Sequence, residues 1–168
     1  MDLYLVRHAI AEPRDPERWP DDALRPLSES GVELFRSAAR GLRRVGIEVE
    51  AVLASPYVRA WQTAELLAEE SGWPDPQESA ELRPFGEPSE GVDVVKGRPE
   101  SSLALVGHQP HLSELASLLL TGNDASQLEL KKGGVIWLRF QGEPEIGEGV
   151  LRGSLSPKIL RQLGSSAG

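Results

Sequence analysis

Three histidines stand in this chain of 168 residues, and two of them end apolar runs. "LYLV" runs straight into Arg7 and His8, and "LALVG" runs into His108. Such a junction has two readings. One is a buried strand leaving for solvent; the other is a strand that delivers a cation and a nucleophile to one point. Arg59 follows Ser55 and Pro56 at an apparent helix start and adds a second cation. Two histidines and two arginines around one pocket suit a phosphoryl group. Arginine's forked donors match phosphate oxygens, and a helix N-terminus supplies backbone donors. Charge on a transferring phosphoryl is spread over three oxygens, so several cations act together. Neutral imidazole attacks without a separate base and leaves again readily. The scheme requires no metal. "HQPH" lacks the i, i+4 spacing of a helical metal pair and the chain has no cysteine to support one. His111 is therefore read as a helix-start residue at the pocket rim.

These residues need elements to position them. Residues 2–7 read as a buried strand, followed by a Pro/Asp-rich loop over 9–27 without periodicity. Ser28 caps a helix with Val32, Phe35, Ala39 and Leu42 on one face and Gly46 at its close. "VEAVLAS" is a second strand ending at Ser55, and Pro56 opens a helix with Val58, Trp61, Ala64 and Leu67 as its apolar stripe. "PQESAEL" reads as a short strand leading to Glu81, and residues 84–102 as loop or weak helix. "SLALVGH" is a further strand, and Pro110 opens a helix to about Leu120. "GGVIWLRF" and "GVLRGSL" form a strand pair, and Pro157 to Leu163 a closing helix. The alternation predicts an α/β layered domain with a mostly parallel sheet, whose ligands bind at the carboxyl ends of the strands. His8, Ser55 with Arg59, Glu81 and His108 all stand at such ends.

Composition narrows the partners. Apolar and charged contents of 39% and 26% are those of a globular chain, and no apolar run is long enough to span a bilayer. The N-terminal apolar stretch is too short for a secretion signal and lacks its basic flank. With no cysteine there is neither a disulfide framework nor a thiolate nucleophile, which fits the cytoplasm. A net charge of −8 disfavours nucleic acid and anionic lipid as partners, so an anionic substrate must be captured by a local group of arginines. The Asp21-Asp22 and Glu69-Glu70 pairs read as solvated faces, Thr63 as a packing or hydrogen-bonding residue, and Trp19 as the loop tryptophan able to touch substrate.

"LVRHA", "LASPYVRAWQTAE" and "LVGHQP", in that order, resemble the motifs of the histidine phosphatase superfamily, which includes the cofactor-dependent phosphoglycerate mutases. The short chain and "RPLSESG" are most similar to the superfamily's small bacterial phosphohistidine phosphatases. The resemblance runs over about residues 1–120. It implies a phosphoglycerate mutase-like, three-layer α/β/α fold in one domain over residues 1–163, with 164–168 as a loose tail. It implies that His8 is the nucleophile, that Arg7 and Arg59 bind phosphate oxygens, and that His108 is a further phosphate ligand. Glu81 matches the general acid's position loosely, and Arg25 in "RPLSESG" matches a substrate contact from the loop. No cofactor is implied. The expected activity is hydrolysis of phosphohistidine in a protein through a phospho-His8 intermediate. Only residues 82–101 join Glu81 to the strand before His108, so the site is expected to be open enough for a protein side chain. A small-molecule phosphatase with the same nucleophile, or a phosphate-binding module without catalysis, are the alternatives.

Overall fold

The computed structural model describes residues 1–125 and 127–165. Six strands form one sheet: β1 (Asp2–Arg7), β2 (Ala51–Ala54), β3 (Gln77–Glu78), β4 (Ser102–Gly107), β5 (Val135–Arg139) and β6 (Val150–Leu155). Their spatial order is β3-β2-β4-β1-β5-β6. The first four are mutually parallel, and β5 runs antiparallel to both β1 and β6. Five helices flank the sheet: α1 (Glu29–Arg44), α2 (Val58–Ser71), α3 (Pro88–Val95), α4 (His111–Thr121) and α5 (Pro157–Ser165).

The continuous apolar runs have a simple cause. Parallel strands covered on both faces bury every side chain. Tyr4, Val6, Ala104 and Val106 point into one core with Phe35, Leu42, Leu67 and Leu160 of α1, α2 and α5. Leu3, Leu5, Leu103 and Leu105 point into the other with Val92, Leu112 and Leu115 of α3 and α4. The result is a three-layer α/β/α fold. Among the described residues no helix is long and apolar enough to cross a membrane.

Several boundaries differ from those expected. β3 pairs over only two residues, and a 3-10 turn at Ala80–Leu82 takes the rest of the expected strand. The weakly helical stretch holds a true helix, α3, started by Pro88. The closing helix runs past Leu163 to Ser165, because Gly164 is buried against α1, where a side chain would collide with the carbonyl of Ser37. Gly164 and Ser165 thus belong to α5 rather than to a tail, and 166–168 lie outside the described residues.

The stripe of α2 is also rotated from the expected one. Its buried residues are Arg59, Ala60, Thr63, Ala64, Leu66, Leu67 and Ser71, while Val58 and Trp61 are only half-buried. Small residues, not the tryptophan, face inward, and the rotation carries Arg59 and Thr63 toward the sheet.

Candidate active site

Strand register brings the two histidines together. Arg7 pairs with Gly107 across β1 and β4, so His8 and His108 leave the sheet side by side. Their ring centroids lie 5.2 Å apart. Ala54 pairs with Val106 across β2 and β4, which sets Ser55 beside them. His8 is 6% exposed and His108 2%.

The backbone next to His8 fixes its tautomer. Its Nδ1 lies 2.7 Å from the carbonyl oxygen of Ala9, which can only accept, so Nδ1 carries the proton. Nε2 keeps the lone pair. The amide of Ala9 donates to Thr63 Oγ1 at 3.0 Å, and that hydroxyl donates to the Arg59 carbonyl at 2.7 Å. The peptide that orients the His8 ring is thereby tied to α2. Burial above all, with Arg59, Arg7 and Lys132 nearby, drives the His8 pKa down to about 3. His108 is driven down to about 2, again first by burial and then by His8 and Arg59. Both rings are neutral at pH 7. His108 Nε2 meets Ser55 Oγ at 2.9 Å, while its Nδ1 is buried without a partner.

Arg59 is 4% exposed, at the first turn of α2. Its Nη1 donates to the Asp22 carbonyl at 2.8 Å, its Nη2 lies 3.1 Å from Asp22 Oδ2, and its guanidinium sits 4.9 Å from the Tyr57 ring centre. Both terminal nitrogens are tied to one residue, and Nε is left buried and unpartnered. Arg7 repeats the pattern: Nη1 donates to the Leu130 carbonyl at 2.9 Å, and Nε has no partner. Three buried nitrogens, one from each of Arg7, Arg59 and His108, thus lack the partners that buried polar atoms ordinarily find.

Arg25 lies on the loop after β1 and donates to Asp22 Oδ1 at 2.8 Å and to the Glu12 carbonyl at 2.8 Å. Asp22 is therefore paired as well as partly solvated. Its carboxylate joins Arg25 to Arg59, and both cations, after its hydrogen bond to Arg25, hold its pKa below the usual range. Glu70 likewise pairs with Arg36 and Arg40 across α1 and α2 instead of facing water alone. His111 does open α4, but it is 1% exposed, with Nε2 3.3 Å from the Glu87 carbonyl. Trp19 is half-buried, with the Arg18 guanidinium 5.2 Å from its ring centre.

Glu81 makes no hydrogen bond to His8 or His108 among the described residues. Its carboxylate accepts from Ser79 Oγ at 2.7 Å, which lowers its pKa, and it lines a cavity of about 450 Å³ with Glu78, Glu90, Asp93 and Arg98. Lys132, which no motif marked, belongs to the site's field: Arg7, Arg25 and Arg59 all lower its pKa, after burial. No group of three or more His, Cys, Asp or Glu able to hold a metal occurs among the described residues.

Comparisons with known proteins bear on the family and the fold. An uncharacterised protein of Picosynechococcus sp. is 39% identical over 144 residues, covering 83% of this chain and 85% of that one. The phosphohistidine phosphatase SixA of Escherichia coli is 26% identical over 165 residues, covering 96% and 97%. A solved structure of the protein histidine phosphatase SixA complexed with tungstate superposes with a TM-score of 0.82 at 24% identity, over 95% of this chain and 99% of that one. That likeness identifies the fold as phosphoglycerate mutase-like. The profile of the histidine phosphatase superfamily (branch 1) matches residues 3–91. The chain belongs to that superfamily, and the enzyme is a phosphatase.

Proposed function

We propose that this phosphatase hydrolyses phosphohistidine in a partner protein through a phospho-His8 intermediate, without a metal. The observation that carries the reading is the set of three unpartnered nitrogens beside a neutral imidazole: Arg7 Nε, Arg59 Nε and His108 Nδ1. A phosphoryl group offers three non-bridging oxygens to such a set. The SixA structure was solved with tungstate, itself a tetrahedral oxyanion.

His8 Nε2 attacks phosphorus in line, forming a P–N bond as the P–N bond to the substrate's ring breaks; that ring, protonated on its other nitrogen, departs as neutral imidazole, and phospho-His8 keeps the proton on Nδ1. Water then attacks phospho-His8, releasing inorganic phosphate and restoring the imidazole. In the tautomer that accepts from Ser55 at Nε2, His108 carries its proton on Nδ1, where it can face a phosphoryl oxygen. Charge developing on the phosphoryl favours protonation of His108 and opposes the effect of burial. The site of Glu81 favours the phosphohistidine substrate. An alkoxide leaving group needs a proton from an acid, and a carboxylate held ionised by Ser79 is a poor donor. A phosphohistidine ring protonated on its other nitrogen leaves as neutral imidazole, a much weaker base, and needs little such help. Arg25, tied to Asp22, is read as the loop's contact to substrate. We place the reaction in the cytoplasm.

The test is the ratio of kcat/KM for a phosphohistidine peptide to that for an aryl phosphate, without added metal, with His8→Ala as the blank. A high ratio that vanishes in His8→Ala supports the reading. A low ratio with His8-dependent turnover moves the substrate to small phosphate esters. Turnover that survives in His8→Ala overturns the nucleophile. Phosphate binding without turnover assigns a binding module. Arg59→Ala should lower kcat/KM about 100-fold or more, and near-normal activity would count against the pocket.

A further inference from the structure

Lys132 lies in the turn before β5, and that turn is stitched to the nucleophile. The amide of Gly133 donates to the carbonyls of Arg7 and His8 at 3.0 and 3.1 Å. The amide of Arg7 donates to the Gly134 carbonyl at 3.2 Å, and Arg7 Nη1 to the Leu130 carbonyl. The backbone of Lys132 is therefore held beside His8, while its side chain reaches solvent and is only partly desolvated. Its neighbour Lys131 turns to Glu129 at 3.7 Å. Lys132 makes no hydrogen bond or ion pair among the described residues.

Charge at the site is out of balance. Arg7, Arg25, Arg59 and Lys132 act on one another, and the carboxylate among them is Asp22. A phosphoryl dianion at the three unpartnered nitrogens answers half-buried Arg7 and buried Arg59. Asp22 already answers Arg25 through its second oxygen. The exposed ammonium of Lys132 is left over, as is the exposed guanidinium of Arg14 farther along the loop, which also acts on Asp22, in a chain that is acidic overall. An exposed cation without an ion pair, on a turn whose backbone is bonded to Arg7 and His8, fits a second negative group on the substrate.

We infer that Lys132 is a specificity-determining residue that binds a carboxylate carried by the substrate beyond its phosphoryl group. The inference rests on the phosphatase reading of the pocket. The carboxylate has two possible sources, an acidic residue flanking phosphohistidine in a protein or an acid group on a small phosphate ester.

Two substrate pairs separate the sources. One is a phosphohistidine peptide with Asp or Asn beside the modified residue; the other is 4-carboxyphenyl phosphate or phenyl phosphate. For each pair the readout is the ratio of kcat/KM, charged over uncharged, in wild type, Lys132→Gln and Lys132→Arg. The wild-type ratio should be about fivefold for at least one pair, the scale of an exposed ion pair. It should fall to about one in Lys132→Gln, return in Lys132→Arg, and shrink at high salt. A ratio confined to the peptide pair assigns a protein source, and one confined to the aryl pair a small molecule. A ratio of one in wild type, or one that Lys132→Gln leaves standing while both rates fall, overturns the inference. Should no substrate turn over, the same ratios are read as dissociation constants by calorimetry. Lost turnover then counts against the phosphatase reading alone, and equal constants count against Lys132.

Discussion

Lowering the pH from 7.5 to 5.5 should destabilise this protein far more than its carboxylates explain. His8 and His108 are neutral and buried, with pKa values of about 3 and about 2, against about 6.5 in an unfolded chain. Between these values the unfolded state binds more protons than the folded one, so stability falls as pH falls. At pH 5.5 a histidine that stays neutral in the fold costs about 1.4 kcal/mol relative to pH 7.5, and the two together about 3 kcal/mol. His111 is shifted in the same direction and adds to the slope. Carboxylates with lowered pKa values, such as Asp22 and Glu70, withdraw their contributions only below about pH 4.5, outside this window. The loss is a large part of the stability of an ordinary domain, about 5–15 kcal/mol. Urea unfolding across this pH range reads it directly, and His108→Gln should remove one histidine's share of the slope. A flat wild-type profile, or an unchanged slope in His108→Gln, refutes neutral burial and with it the standing lone pair on His8 Nε2.

Three further outcomes follow from single contacts. Thr63→Val leaves the Ala9 amide unpartnered, while the Arg59 carbonyl keeps its helical N–H; it should cost about 1–3 kcal/mol in urea unfolding and lower kcat more than it raises KM, while Thr63→Ser should restore both. Glu81→Gln should leave kcat/KM for a phosphohistidine peptide within about twofold, because departure of imidazole draws little on an acid; a loss near 100-fold in steady-state assays would restore Glu81 as the proton donor. Gly41→Ala places a Cβ against the carbonyl of Leu160 where α1 crosses α5, and should lower the urea midpoint by the equivalent of about 1–3 kcal/mol, whereas full stability would mean that the helices separate freely.

The strands and the two histidines were legible because burial on both faces turns β1 and β4 into unbroken apolar runs that end abruptly at His8 and His108. The face of α2 was misread for a reason of scale. Trp61 and Val58 dominate any hydropathy reading, yet a helix packed closely on α1 and β4 buries Ala60, Thr63 and Ala64 instead. Nothing local marks Lys132 or Asp22 as part of the site. Asp22 meets Arg59 37 positions away, and Arg7 reaches Leu130 123 positions away, so these pairs exist only once the sheet is assembled.

Asp22 also shows why a carboxylate belongs in a pocket for anions. A free guanidinium on α2 would present five donors in shifting directions. Asp22 occupies both terminal nitrogens of Arg59, one with its carbonyl and one with its carboxylate, and leaves Nε as the unpartnered donor. The backbone carbonyl of Leu130 constrains Arg7 from one side in the same way. Each arginine therefore keeps a particular buried N–H for an incoming oxygen, and its rotamer entropy is lost on folding rather than on binding. The Pro/Asp-rich segment, without periodicity in the sequence, is bridged at its base between Ala11 and Leu27 and pinned to α2 through Asp22. The loop thereby acts as part of the scaffold that aims the cations at the phosphoryl site.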